Sequence, residues 1–279
     1  MKNMADQNFV KNVPVFILAG GLGTRISEET HTKPKPMIEV GDLPVLLHLM
    51  KIYYSQGFND FVICAGYRSW SIKEYFLNYE AQSNHLEIDH RETLHKPSRA
   101  FSSNEAQEKW RVRVIDTGLN SMTGARIARA FDIVNAVDTI ETFAVTYGDG
   151  LSNVSLCREL QFHREKNKIG TILGVKPTAR FGELEVGADQ VVEGFLEKPE
   201  SKQGLINGGF FFFKKDFRKY LSPDESCVLE KAPLENLSKD RELMVYEHYG
   251  FWHPMDTLRD KTYLQSLWES GKAPWVTSS

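Results

Sequence analysis

The chain has 279 residues, 41% hydrophobic and 25% charged, with a formal net charge of -3. These values describe a globular chain able to bury a sizeable core, and so mild a charge excludes bulk attraction to nucleic acid or an anionic membrane; neither partner is expected. Cys64, Cys157 and Cys227 are too few and too widely spaced for a disulfide framework or zinc site, and without a secretory or membrane-spanning apolar run a cytoplasmic protein is expected.

Residues 1–12 read as a polar, flexible leader, and residues 13–279 as a single domain. Val15 to Leu18 is an apolar run of buried-strand length that breaks into Gly20, Gly21 and Gly23, where backbone can approach a ligand closely. Two familiar phosphate loops are excluded. The dinucleotide fingerprint would need glycine at Ile26, and the Walker loop a Gly-Lys pair leading into Ser or Thr. Instead come Thr24 and Arg25, then Lys33 and Lys35 among Pro34 and Pro36, whose missing N–H groups disfavour helix. Glycine N–H groups with three nearby cations suit a polyphosphate such as a nucleoside triphosphate.

Farther along, Pro44 to Gln56 has helical apolar content and stops at Gly57, Phe61 to Ala65 is a strand, and Ser69 to about Tyr79 is helical. This βαβα opening predicts an α/β fold with a doubly wound, mainly parallel sheet and ligands at the strands' carboxyl ends. His85 to Lys109 is an irregular excursion, and Arg111 to Asp116 alternates like a strand. Thr123 to Val134 places Ile127, Phe131 and Val134 on one helical face, and Phe143 to Tyr147 is a strand delivering Gly148, Asp149 and Gly150. Leu156 to Lys166 is a helix and Ile169 to Val175 a strand. Glu183 to Val186, Val191 to Phe195 and Gly209 to Phe213 read as strands of a more antiparallel second half, before a last helix from Thr257 to Ser270.

The run G-G-L-G-T-R with P-K-P-M, followed in order by Y-G-D-G, R-F-G, E-K-P, I-N-G-G-F and F-W-H-P-M-D-T-L-R-D, resembles the sugar nucleotidyltransferases, and among them the glucose-1-phosphate cytidylyltransferases. The resemblance covers nearly the whole chain. It implies a Rossmann-like fold with a nucleotide-binding half over 13–155 and a smaller sugar-phosphate-binding half over 156–279. It also implies the Mg²⁺-dependent formation of CDP-glucose and pyrophosphate from CTP and α-D-glucose 1-phosphate, feeding CDP-deoxysugar synthesis. A homo-oligomer such as a hexamer is implied as well.

Carried onto this sequence, the resemblance makes Arg25 and Lys35 catalytic and Asp149 and Asp256 the metal ligands. The nucleotide would be held by Leu18, Ala19, Gly20, Gly21, Gly23, Thr24, Lys33, Gly66, Tyr67, Arg126 and Gly148. The sugar phosphate would be held by Gly182, Glu197, Lys198, Asn207 and Gly208. A sugar monophosphate is mostly dianionic at neutral pH and needs no dedicated base, so cations and a metal suffice for in-line displacement. Arg126 would read cytosine N3 and O2, its alternative being a solvent-facing helix arginine; Ala125 departs from the family's second glycine there. Glu183 departs from a small residue and places a carboxylate near a sugar phosphate unless it faces solvent. Asp149 has an alternative as a turn residue, Asp256 as a helix cap, and E-K-P and N-G-G as a solvated turn and a bulge. Another phosphorylated acceptor or nucleotide, and a regulatory homologue without turnover, are the competing functions.

Overall fold

The computed structural model describes residues 9–26, 30–31, 33–83, 85–87, 99–101, 108–176, 183–186, 190, 192–196 and 204–276. Seven strands form the main sheet: β1 (Val15–Ala19), β2 (Asp60–Ala65), β3 (Arg111–Asp116), β4 (Thr142–Tyr147), β5 (Gly170–Val175), β6 (Ile206–Lys214) and β7 (Leu243–His248). Their spatial order is β7-β5-β6-β4-β1-β2-β3. β1 pairs in parallel with β2 and β4, β2 with β3, and β5 with β7, while β6 runs antiparallel to both its neighbours. Of the three antiparallel strands expected of the second half, β6 is inserted into this shared sheet. A separate hairpin pairs Glu183–Val186 with Val192–Leu196.

Alternate residues of β1 feed two apolar clusters, because successive side chains of a strand point to opposite faces. Val15, Ile17 and Ala19 join helix α1 (Val45–Ser55) in one cluster, while Phe16 and Leu18 join Ile127, Phe131 and Val134 of helix α2 (Thr123–Asn135) in the other. Burial on both faces explains why these strands read as continuous apolar runs. Phe210, Phe211, Phe212 and Phe213 alternate between the same two clusters, as core residues should.

The expected leader is shorter at its carboxyl end. Val10 is 2% exposed and belongs to the core, and the Phe9 carbonyl accepts a hydrogen bond from Arg164 Nη1 at 2.8 Å. The predicted helix over 69–79 ends at Leu77, and a short one follows at Tyr79–Ser83. The last helix, α3 (Leu258–Glu269), is flanked by the predicted Thr257 and Ser270 as its caps.

Candidate active site

A cavity of about 590 Å³ opens at the carboxyl ends of β1 and β4. The chain builds β2 and β3 on one side of β1 and β4 on the other, and the crevice where a parallel sheet changes direction is a natural ligand site. Twelve expected site residues line it: Leu18, Ala19, Gly20, Gly21, Gly23, Thr24, Lys35, Arg126, Gly148, Asp149, Asn207 and Asp256.

Its electrostatic centre is Lys35. The Nζ donates to Asp149 Oδ2 at 2.5 Å and to Asp256 Oδ1 at 2.7 Å. Burial pulls the Lys35 ammonium down, but the Asp149 and Asp256 carboxylates together outweigh it and the net shift is upward. Pro34 and Pro36 do not abolish helical geometry here; Pro34 precedes and Pro36 lies within a single 3-10 turn, Lys35–Met37, with Pro36 and Met37 buried.

The two aspartates meet because a two-stranded ribbon brings their flanks together. Gly150–Ser152 pairs antiparallel with Trp252–Pro254, so Asp149 enters the ribbon where Asp256 leaves it, and Met255 N donates to the Asp149 carbonyl at 2.8 Å. Asp256 is not the helix cap. Thr257 is, in a capping box with Asp260, and Asp260 Oδ2 also accepts the Asp256 N–H at 3.1 Å. The aspartate side chain lines the cavity and accepts from Lys35.

Two carboxylates, each about a quarter exposed, converging on one cation form a hard oxygen donor set of the kind Mg²⁺ takes. Among the described residues no cluster of three or more His, Cys, Asp or Glu could hold a metal. An ion between Asp149 and Asp256 would accordingly complete its shell with phosphate oxygens and water, which suits Mg²⁺.

Arg126 is neither solvent-facing nor free to turn its Nη groups toward a base. It is 3% exposed, with Nη1 donating to Ala65 O at 3.2 Å, Thr117 Oγ1 at 2.9 Å and Gly118 O at 2.7 Å, and Nη2 to Gly20 O at 2.9 Å and Leu119 O at 3.2 Å. It staples together the carboxyl ends of β1, β2 and β3. This explains two glycines better than backbone dihedrals do: a Cβ at Gly20 or Gly66 would lie 2.1 or 2.2 Å from the Arg126 guanidinium. Ala125 leaves the local fold intact, since it is fully buried with its N–H on Cys227 O at 3.1 Å. Gly124 is the position without room, its Cβ falling 2.6 Å from Cys227 Sγ.

Several expected contacts lie elsewhere. Lys33 pairs at the surface with Glu39 at 2.9 Å and does not line the cavity. Gly66 and Tyr67 stand behind the glycine loop, where Tyr67 N donates to Gly20 O at 3.1 Å. Gly208 also lies off the wall, its carbonyl accepting from Trp252 Nε1 at 2.7 Å. N-G-G does form a bulge: the register between β5 and β6 shifts there, and Gly209 has φ +76°. The same bulge nevertheless puts Asn207 on the cavity wall. The backbone of Arg25 lies in the 3-10 turn Thr24–Ile26. Gly182, Glu197 and Lys198 fall outside the described residues.

The wall also includes Pro36, Ser121, Met122, Thr123, Tyr147, Glu230, Trp252 and Pro254, which were not assigned to the site, although Pro36, Tyr147, Trp252 and Pro254 stand inside the quoted motifs. Tyr147 had a legible signal, since it lies two residues before Asp149 at the end of the same strand. Glu230 had none; it sits in a charged stretch indistinguishable by composition from a solvated turn. Yet it accepts from Tyr147 Oη at 2.5 Å and Thr123 Oγ1 at 2.8 Å.

Comparison with known proteins agrees with this architecture. Residues 14–253 match the nucleotidyl transferase family. The chain is 44% identical over 265 residues to glucose-1-phosphate cytidylyltransferase of Salmonella typhimurium, covering 94% of this chain and 98% of that one. Among solved structures, a UDP-glucose pyrophosphorylase complexed with UDP-glucose superposes with a TM-score of 0.63 at 16% identity, covering 93% of this chain and 99% of the other. HddC from Yersinia pseudotuberculosis complexed with GMP-PN gives 0.60 at 21%, covering 92% and 99%. These two establish a shared fold, and the close full-length relative adds the branch: the chain belongs to the nucleotidyl transferases, in the glucose-1-phosphate cytidylyltransferase family.

Proposed function

We propose that the protein transfers a cytidylyl group from CTP to α-D-glucose 1-phosphate, releasing pyrophosphate and requiring Mg²⁺. The observation carrying this reading is the meeting of Lys35, Asp149 and Asp256 on the wall of a cavity entered by a glycine loop, in a chain so similar to a cytidylyltransferase throughout its length.

A phosphate oxygen of the sugar phosphate attacks the α-phosphorus of CTP. A P–O bond forms there, the bond from that phosphorus to the bridging oxygen breaks, and pyrophosphate leaves with the electron pair. The nucleophile is already ionised near neutral pH, so the protein's task is to hold two anions in line and offset their charge. Bound between Asp149 and Asp256, Mg²⁺ would supply positive charge to phosphate oxygens. Lys35, yielding the space between the aspartates to that ion, would supply a second cation to the phosphates, and the N–H groups of Gly20, Gly21 and Gly23 receive the triphosphate. Arg25 is assigned to the leaving end of the triphosphate and Lys198 to the sugar phosphate. Gly182, Glu197 and Asn207 are assigned to the sugar. Arg126 shapes the base wall by holding Gly20, Gly118 and Leu119. In this reading the protein works as a homo-oligomer in the cytoplasm.

The test is pyrophosphate release from glucose 1-phosphate with CTP, UTP, dTTP, ATP or GTP in separate reactions, repeated with Asp149→Ala. Turnover confined to CTP and lowered about 100-fold or more by the substitution is expected. Preference for another nucleotide would refute the cytosine assignment. CTP binding without turnover toward any sugar phosphate would favour a regulatory homologue.

A further inference from the structure

Glu230, Tyr147 and Asn207 form a hydrogen-bonded chain along the cavity wall whose polarity is set at both ends, by the Glu230 carboxylate and by the Gly209 N–H. A carboxylate only accepts, so the Tyr147 hydroxyl donates its single proton to Glu230 Oε1 at 2.5 Å. The phenol oxygen is thereby left as an acceptor, and Asn207 Nδ2 donates to it at 3.0 Å. Asn207 Oδ1 accepts from Gly209 N at 2.8 Å. Turning the amide over would set Oδ1 against a phenol whose proton is committed and Nδ2 against the Gly209 N–H. Two repulsive contacts would replace two hydrogen bonds.

Glu230 is itself fixed. Thr123 Oγ1 donates to its Oε2 at 2.8 Å and accepts the Leu229 N–H at 2.9 Å.

We propose that Glu230 is a positioning residue for the sugar side of the cavity: through Tyr147 it locks, together with the Gly209 N–H, the way the Asn207 amide faces. The amide then offers incoming substrate one N–H and one carbonyl lone pair that no described residue engages, a donor and acceptor matched to hydroxyls of a hexose phosphate. This rests on reading the cavity as the site for CTP and glucose 1-phosphate.

The test is steady-state pyrophosphate release by the full chain, comparing wild type with Glu230→Ala, Tyr147→Phe and the double variant, each shown by thermal melting to be folded. Cutting the relay at either point should raise the KM for glucose 1-phosphate about tenfold, the worth of one oriented hydrogen bond, while the KM for CTP stays within about twofold. The double variant should be no worse than the worse single one, because residues acting as one unit are not additive. Equal change in both KM values, additive losses or unchanged KM values would overturn the relay. A wild-type protein that releases no pyrophosphate from CTP and glucose 1-phosphate would instead sink the reading of the cavity and take the relay with it.

Discussion

Lys35 and Asp149 stand 114 positions apart in the chain and meet nitrogen to oxygen at 2.5 Å. The same ammonium reaches Asp256 at 2.7 Å, so it occupies the space a divalent cation would claim between those two carboxylates. Lys35→Met should therefore act in two directions. It should lower kcat by about 100- to 1,000-fold, the usual loss for a preorganised charge at a reacting centre. It should also tighten Mn²⁺ binding in the absence of nucleotide, read from the free-ion paramagnetic resonance signal, because the competing cation is gone. Weaker Mn²⁺ binding would show that Lys35 helps hold the metal rather than competing with it.

Arg126 and Gly20 form a steric and electrostatic pair. Arg126→Ala removes donors from five acceptors at the ends of three strands and should destabilise the protein in urea denaturation, since each buried acceptor left without a donor costs about 1–3 kcal/mol. Gly20→Ala intrudes on the same guanidinium and should raise the KM for CTP. Gly20→Ala made in the Arg126→Ala background should do less harm than in wild type, since the clash has been removed.

Glu159 and His163 give the stability a pH signature. Both are essentially buried, both Glu159 carboxylate oxygens and His163 Nε2 lack hydrogen-bond partners among the described residues, and His163 Nδ1 lies 2.9 Å from Thr171 Oγ1. Burial pushes Glu159 up to about 8. Burial, aided by Lys214 and Arg164, pushes His163 down to about 4. Between about pH 4.5 and 6.5 the unfolded chain has lost the Glu159 proton that the folded chain keeps, and has gained a His163 proton that the folded chain lacks, so the two contributions cancel. From about 6.5 to 8 only Glu159 differs, and stability should fall by about 1.4 kcal/mol per pH unit. Glu159→Gln should abolish that fall and expose the rise with pH due to His163, as read from urea midpoints at several pH values.

The Thr257 capping box supports Asp256 from outside the cavity. Thr257→Ala should destabilise the protein by about 1 kcal/mol. Asp260→Asn weakens an acceptor that takes the Asp256 and Thr257 N–H groups at 3.1 and 2.8 Å. It should lower Mn²⁺ affinity without any change to a residue on the cavity wall.

The alternating strand and helix patterns were legible because burial and period are local properties, and Thr257 and Ser270 bounded the last helix correctly. So were the glycine loop, Lys35, Asp149 and Asp256, each carried by a run of unusual residues. The ribbon joining Gly150–Ser152 to Trp252–Pro254 was not, because short strands about a hundred residues apart leave no period that announces their pairing. Arg126 read as a base-contacting residue, with a solvent-facing helix arginine as its alternative, whereas its burial depends on carbonyls from three strand ends. Lys33 and Lys35 read alike, but one faces Glu39 and the other the aspartates. Glu230 acquires its place only when Thr123 and Tyr147 are folded beside it.

The late arrival of β6 has a consequence for biosynthesis. Phe210 to Phe213 pair with residues 143–146 on one side, and residues 170–172 face Phe211 to Phe213 on the other. A ribosome adding about 5–20 residues per second leaves that slot open for several seconds after β4 is made. During that interval the nascent chain displays an unpaired, apolar strand edge in the middle of its future core, the moment at which it is most in need of a chaperone and least able to tolerate a pause in translation.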